Sequence, residues 1–281
     1  MRTVKLKNGK TIPALGMGTW NIGDSGARRA DEIASLQAGI EAGMTVVDTA
    51  EMYGNGRSET LVGEAIADLR DDVYLVSKVT PSNASYEGVQ KHCRASLKRL
   101  GTDRLDLYLL HWRSGVPLSE TVRGMEQLQA DGLIEDWGVS NFDVDDMDEL
   151  DGISDGCVAN QVLYNLEHRG VEFDLLGEDR QREVVTMAYS PLGQGGELLT
   201  NPAMREVAKR HETSAGPASA AQIALAWVLR QENVLAIPKA GSIKHLRENA
   251  LATEIELSQD DLKTLDAAFP PPKRKMSLAM I

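Results

Sequence analysis

The 281 residues predict an α/β fold: a (β/α)8 TIM barrel with an N-terminal β-hairpin and an extra C-terminal helix. Short apolar runs alternate with helix-length amphipathic stretches, the pattern of βα units rather than of a sandwich or a bundle. Counted from Leu15 there are about eight such runs, which suits a closed barrel better than a six-stranded open sheet. The length fits one barrel without a second core, so 1–281 is expected to be a single domain.

The elements follow in order. Val4-Lys5-Leu6 and Lys10-Thr11-Ile12 flank Asn8-Gly9, a strong short hairpin signal, so the chain opens with a two-stranded plug. Barrel strands are predicted at 15–18, 45–48, 73–78, 105–111, 133–140, 157–161, 184–189 and 234–237. Helices are expected over 28–42, 58–69, up to 100, 119–131, 144–150, 171–180, 203–211, 219–231 and 243–250. A terminal helix, 258–268, starts at a serine cap and stops at Pro270-Pro271-Pro272.

Composition narrows the partners. Hydrophobic residues are 42% and charged residues 26%, and no apolar run approaches the ~18 residues that span a bilayer. A net charge of −12 repels nucleic acid and anionic membranes, so neither is expected as a partner and any phosphate site must be local. The first ten residues lack the apolar stretch of a signal peptide, and Cys93 and Cys157 lie in different predicted elements. A cytoplasmic monomer is the expectation. The five histidines are scattered, so no metal site is expected. Gly16-Met17-Gly18 is too short for a dinucleotide fingerprint of the open-sheet kind.

In a barrel, chemistry collects where the strands end, and here those ends are polar or aromatic: Gly18-Thr19-Trp20, Asp48 with Tyr53, Lys78, His111-Trp112, Ser140-Asn141, Gln161, Tyr189-Ser190 and Pro238-Lys239. Lys78 ends VYLVSK and His111 ends LDLYLLH, polar groups on nearly all-apolar strands whose burial without partners would be costly. Each alone is explicable as a satisfied core residue. Eight such ends together are not explained by packing.

GTWN, DTAEMYGN, VSKV, LLHW, GVSNF, NQVLYN, AYSPLG, IPKA and REN, in this order, resemble the motifs of the aldo-keto reductase family across essentially the whole chain. The sequence looks closest to bacterial single-chain members with short substrate loops, including methylglyoxal and diketogulonate-type reductases. The resemblance implies an oxidoreductase that uses NADPH, with NADH as the alternative, to reduce small aldehydes, ketones or α-dicarbonyls. It places a catalytic tetrad on Asp48, Tyr53, Lys78 and His111. Hydride delivered to a carbonyl carbon leaves an oxyanion, which needs a proton donor and positive potential nearby. A free phenol, with a pKa of about 10, is a poor acid at neutral pH. An ammonium at Lys78, held by Asp48, is therefore expected to lower that value, with His111 orienting the carbonyl or relaying the proton.

The resemblance further implies that Gly18, Thr19 and Trp20 contact the cofactor, and that Ser140, Asn141 and Gln161 hold the nicotinamide carboxamide while Tyr189 stacks on its ring. Ser190, Leu192 and Gly193 fall at the pyrophosphate, Lys239, Ser242 and His245 at the adenosine phosphate, and Glu248 and Asn249 at the adenine. Two departures matter. Many members have Lys-Ser at Lys239-Ala240 and arginine in place of His245, which weakens two ligands of a 2′-phosphate. The segments after His111 and Pro272 are short, so an open pocket is expected, lined by Trp20, Met52, Trp112 and Trp137. A cofactor-binding regulatory or scaffold subunit with little turnover is the alternative, against which the intact tetrad argues.

Overall fold

The computed structural model describes residues 1–281. β1 (Thr3–Lys5) and β2 (Thr11–Pro13) form the antiparallel plug, with Val4 opposite Ile12 and both buried. Gly9 turns the hairpin at φ 89°, a conformation that costs glycine nothing. The plug is tied to the barrel floor by Asn8 Nδ2, which donates to Asp136 Oδ2 at 2.7 Å, and by Lys10 Nζ, which donates to Glu135 Oε2 at 2.6 Å.

The barrel strands begin with β3 (Met17–Gly18), β4 (Val46–Asp48), β5 (Tyr74–Val79) and β6 (Leu105–Leu110). They continue with β7 (Ile134–Ser140), β8 (Cys157–Leu163) and β9 (Val185–Tyr189). A small antiparallel hairpin, β10 (Glu212–Thr213) and β11 (Gly216–Pro217), lies outside the barrel before its last strand, β12 (Val234–Ala236). Each barrel strand pairs in parallel with its neighbour in the order β12-β9-β8-β7-β6-β5-β4-β3. Single bridges between Leu15 and Ala236 and between Gly18 and Lys239 close the ring. Gly18 is required at that seam, because a Cβ there would stand 2.8 Å from the Ile237 carbonyl oxygen.

β5 and β6 are buried at every position, one face turned into the barrel and the other against helices, which is why they read as unbroken apolar runs. The outer layer comprises α1 (Arg29–Glu41), α2 (Arg57–Ile66), α3 (Tyr86–Leu100), α4 (Leu118–Ala130), α5 (Val144–Asp151), α6 (Leu175–Gln181), α7 (Pro202–Ala208), α8 (Ala220–Leu229), α9 (Ile243–Ala250) and α10 (Gln259–Ala268). α3 shows how these helices seat: Val89, Cys93, Leu97 and Leu100 recur at helical spacing and bury one stripe. No helix is long and apolar enough to cross a membrane.

Two expected elements differ. The helix expected over 171–180 is a 3-10 turn, Gly170–Glu172, followed by α6, because the Asp174 carboxylate accepts from Leu175 N and starts the helix afresh. The helix expected over 203–211 stops at Ala208, and the chain passes into the β10–β11 hairpin, which turns through Gly216 at φ 118°.

Candidate active site

β4 and β5 carry their last side chains to the same end of the barrel. Asp48 is 2% exposed and Lys78 is fully buried, so each needs the other. Lys78 Nζ donates to Asp48 Oδ2 at 2.8 Å, to the Thr49 carbonyl at 2.9 Å and to the Tyr53 hydroxyl at 3.2 Å. An ammonium has three protons, and all three are used. Because the phenol oxygen is the acceptor in the last of these bonds, its own proton remains available. Asp48 is held on both oxygens, Oδ1 accepting from Gln161 Nε2 at 2.8 Å.

Burial works to discharge Lys78, but Asp48 and Tyr53 outweigh it and hold the ammonium above its ordinary pKa. For Tyr53 the balance runs opposite to the expectation from sequence. Burial raises the phenol by more than Lys78 lowers it, so the group stays protonated at neutral pH. Lys78 is therefore placed to stabilise the negative charge that would appear on the phenol oxygen were its proton given up. Tyr53 stands on a 3-10 turn in which Gly54, Asn55 and Gly56 have φ of 55°, 53° and 85°, a tight reversal that brings the ring back over the strand ends.

His111, just beyond β6, is 9% exposed, and its ring lies 5.7 Å from that of Tyr53, edge-on at 72°. Burial, with the Lys78 charge adding to it, pushes its pKa down to about 2. It is a neutral imidazole, suited to orienting a carbonyl rather than to relaying a proton as imidazolium. Asn141, at φ 58° after β7, donates to the His111 carbonyl at 3.1 Å and accepts from the Tyr189 hydroxyl at 2.9 Å. Ser140 Oγ donates to the Gln161 carbonyl at 2.8 Å. These contacts form a rigid shelf beside the Tyr53–Lys78 pair.

A cavity of about 820 Å³ opens over these groups. Gly18, Thr19, Trp20, Asp48, Met52, Tyr53, His111, Trp112, Ser140, Asn141, Gln161, Tyr189, Ser190, Leu192 and Lys239, all singled out in the sequence, line it, whereas Lys78 is fully buried and does not. The Thr19 hydroxyl is spent within the protein, donating to the Asp48 carbonyl and accepting from Ser58 Oγ. Gly193 does not line the cavity and lies against Glu167 and Leu198. Ser242 caps α9, on which His245, Glu248 and Asn249 sit, and none of the four lines the cavity. There the Ser242 hydroxyl caps the helix by accepting from His245 N at 3.3 Å, His245 is exposed, and Lys239 Nζ folds back over Gly241. Asn249 is buried, and the Glu248 carboxylate is 3.8 Å from Lys244.

Two expectations fail. Trp137 does not line the cavity: it is 1% exposed, three residues down β7 from Ser140, with its indole against Gly156. The segment after Pro272 does reach the site. Lys275 anchors it to Asp143 at 2.5 Å and Asp174 at 2.9 Å, and Met280 and Ile281 line the cavity. Nothing in the tail's sequence apart from its apolar end signals this contact.

Sequence relationships accord with the geometry. The profile of the aldo/keto reductase family matches residues 14–269. The chain belongs to the aldo/keto reductase family. It is 48% identical over 286 aligned positions to methylglyoxal reductase YeaE of Escherichia coli strain K12, taking in 100% of this chain and 99% of that one. Glyoxal reductase of Bacillus subtilis strain 168 is 34% identical over 94% of this chain and 92% of its own length. Among solved structures, an aldo-keto reductase from Klebsiella pneumoniae in complex with NADPH superposes with a TM-score of 0.95 at 48% identity, covering 100% of this chain and 99% of that one. Within this reductase family frame, Asn21, Gln194, Gly195 and Leu199 are cavity residues that sequence reasoning passed over.

Proposed function

We propose that this oxidoreductase is an NADPH-dependent reductase of small, uncharged aldehydes, ketones and α-dicarbonyls. The observation that carries the reading is the fully used Lys78 ammonium, buried and bonded to Thr49 and to Asp48 and Tyr53, the latter two of which line the cavity. Tyr53 gives its proton to the carbonyl oxygen, Lys78 stabilises the phenolate that results, Asp48 keeps Lys78 charged and placed, and neutral His111 orients the carbonyl. A bound dinucleotide supplies the hydride. The residues fit one: the Ser140–Asn141–Tyr189 shelf faces the cavity beside Tyr53, and Lys239 with the capped start of α9 offers a cationic, N–H-rich end for phosphate. Residues 1–281 act as one catalytic unit. A monomer in the cytoplasm is the state we infer, consistent with a net charge of −12 and two free, buried cysteines.

Substrate charge follows from the lining. Lys78 is saturated, and Arg113, next to Trp112, is committed to Glu149 at 2.7 and 2.8 Å. Apart from Lys239, which this reading assigns to the cofactor phosphate, the lining offers a carboxylate-bearing substrate beside Trp20, Met52 and Trp112 no free counterion. Purified protein with NADPH should turn over methylglyoxal, with kcat/KM at least about tenfold above that for a 2-keto acid of similar size. Absence of turnover with any uncharged carbonyl would defeat the reading.

At the other end, an exposed histidine stands where many relatives have a permanently charged arginine. His245→Arg should tighten NADPH by about 1–2 kcal/mol and leave NADH nearly unchanged. Fluorescence titration of both cofactors checks this. Equal changes for the two would place His245 away from the 2′ position.

A further inference from the structure

Between Asp48 and Tyr53 the main chain leaves β4 and is held by isolated bonds rather than a ladder, Tyr53 N donating back to the Ala50 carbonyl at 3.1 Å. Thr49 N donates to the Val76 carbonyl at 2.9 Å, but Glu51 N reaches the Lys78 carbonyl only at 3.4 Å. The left-handed turn that follows carries no regular ladder, and the one hydrogen bond of the Tyr53 hydroxyl is the 3.2 Å contact with Lys78. The side chain of Glu51 supplies what the main chain does not. It is 7% exposed. Oε1 accepts from Thr80 N at 2.8 Å, Thr80 Oγ1 at 2.8 Å and Asn83 Nδ2 at 3.0 Å, and Oε2 meets His92 Nδ1 at 2.6 Å. Burial alone would raise this carboxyl, but the bonds from Thr80, Asn83 and His92 prevail and hold it below the usual range, so it remains an anion. Thr80 lies just beyond Lys78. One carboxylate thus joins the segment that bears the phenol to the segment that bears the ammonium.

We propose that Glu51 is a positioning residue for proton delivery: anchored by Thr80, Asn83 and His92, it sets the separation between the Tyr53 oxygen and the Lys78 nitrogen. The inference rests on Tyr53 being the proton donor. Glu51 acts through Tyr53, and a phenol displaced by about 1 Å is enough to cost on the order of 10²-fold in rate. Glutamine keeps an oxygen for the three donors that converge on Oε1, whereas alanine leaves the Thr80 amide without that acceptor and Asn83 Nδ2 with Thr80 Oγ1 and His92 alone.

The test compares wild type, Glu51→Ala, Glu51→Gln and Tyr53→Phe with NADPH and methylglyoxal. Glu51→Ala should lower kcat about ten- to hundredfold while KM and NADPH affinity stay within about threefold, and Glu51→Gln should recover to within about threefold of wild type. Tyr53 is faced by Lys78 from β5, Asp48 from β4 and His111 from the end of β6. Loosening the Lys78 contact removes the neighbour that favours its anion, so the alkaline limb of kcat should move to higher pH in Glu51→Ala. A lower melting temperature with wild-type kcat and an unmoved limb would reduce Glu51 to a structural role and overturn the inference. Near-normal activity in Tyr53→Phe would instead overturn the reading beneath it. If Glu51→Ala does not fold, His92→Ala decides, since its ring is 28% exposed and its loss removes one anchor: kcat should fall about two- to fivefold with KM unchanged, and an unchanged kcat overturns the proposal.

Discussion

Tyr53→Phe is expected to lower kcat by about 10²–10⁴ and to leave NADPH affinity within about twofold. The ring keeps its edge contact with His111, so packing survives and only the donated proton is lost. The pH profile of the wild type gives the same result a second signature. His111, with a pKa pushed down to about 2, does not titrate in the working range, and Tyr53, raised by burial despite Lys78, deprotonates only above the ordinary phenol value. With protonated Tyr53 as the proposed active form, kcat should be level from about pH 6 to 9 and fall only at higher pH, the limb being absent in the residual activity of Tyr53→Phe. An acid limb near neutrality would assign the proton to another group. Steady-state kinetics across pH on both proteins decides the matter.

Lys78→Met should damage both activity and folding. The lysine is fully buried and 2.8 Å from Asp48, so its removal leaves a buried carboxylate with only Gln161 Nε2 as partner. Breaking a buried pair on one side costs about 3–5 kcal/mol, and the loss of positive potential at the phenolate should lower kcat by about 10²–10³. The double variant Asp48→Asn/Lys78→Met separates the two effects. Without the orphaned charge it should regain most of the lost stability in urea denaturation, yet remain as slow as Lys78→Met. Recovery of rate together with stability would mean that the ammonium supports the fold and not the chemistry.

Legibility in the sequence followed the physics of burial. Parallel barrel strands are covered on both faces, so β5 and β6 announce themselves as apolar runs, and Lys78 and His111 stand out because nothing in packing accounts for them. The same rule marks Asp48 at the end of β4, whereas Tyr53 stands on the turn beyond it and is placed by the family resemblance. Burial does not say which way a side chain faces, and so Trp137 reads as a pocket residue although it lies too far down β7 to reach the cavity. Balance between opposing forces was equally hidden. Proximity to Lys78 predicts a more acidic phenol, and only the depth of the site shows burial to be the larger effect. The Glu51 anchor lay inside the recognised DTAEMY motif, but its partners are distant in sequence and come together only when β5 and α3 assemble. The tail that brings Met280 and Ile281 to the cavity depends on Lys275 meeting Asp143 and Asp174, which no local pattern encodes.

The seam of the barrel also bears on how long the folded molecule lasts. Seven neighbouring strand pairs form between segments close in sequence, whereas the eighth joins Leu15 to Ala236 and Gly18 to Lys239, near opposite ends of the chain. Closing so long a loop is the slowest contact to earn, and with only isolated bridges it is the first to open. Hydrogen exchange should therefore find the amides of Gly16, Gly18 and Ala236 among the least protected of the barrel strands. A dinucleotide held by Gly18 on one side and Lys239 on the other would span that gap as a clasp. The lifetime of the protein against proteolysis would then follow how full its cofactor site is, so that molecules idle for want of reductant are also the ones removed first.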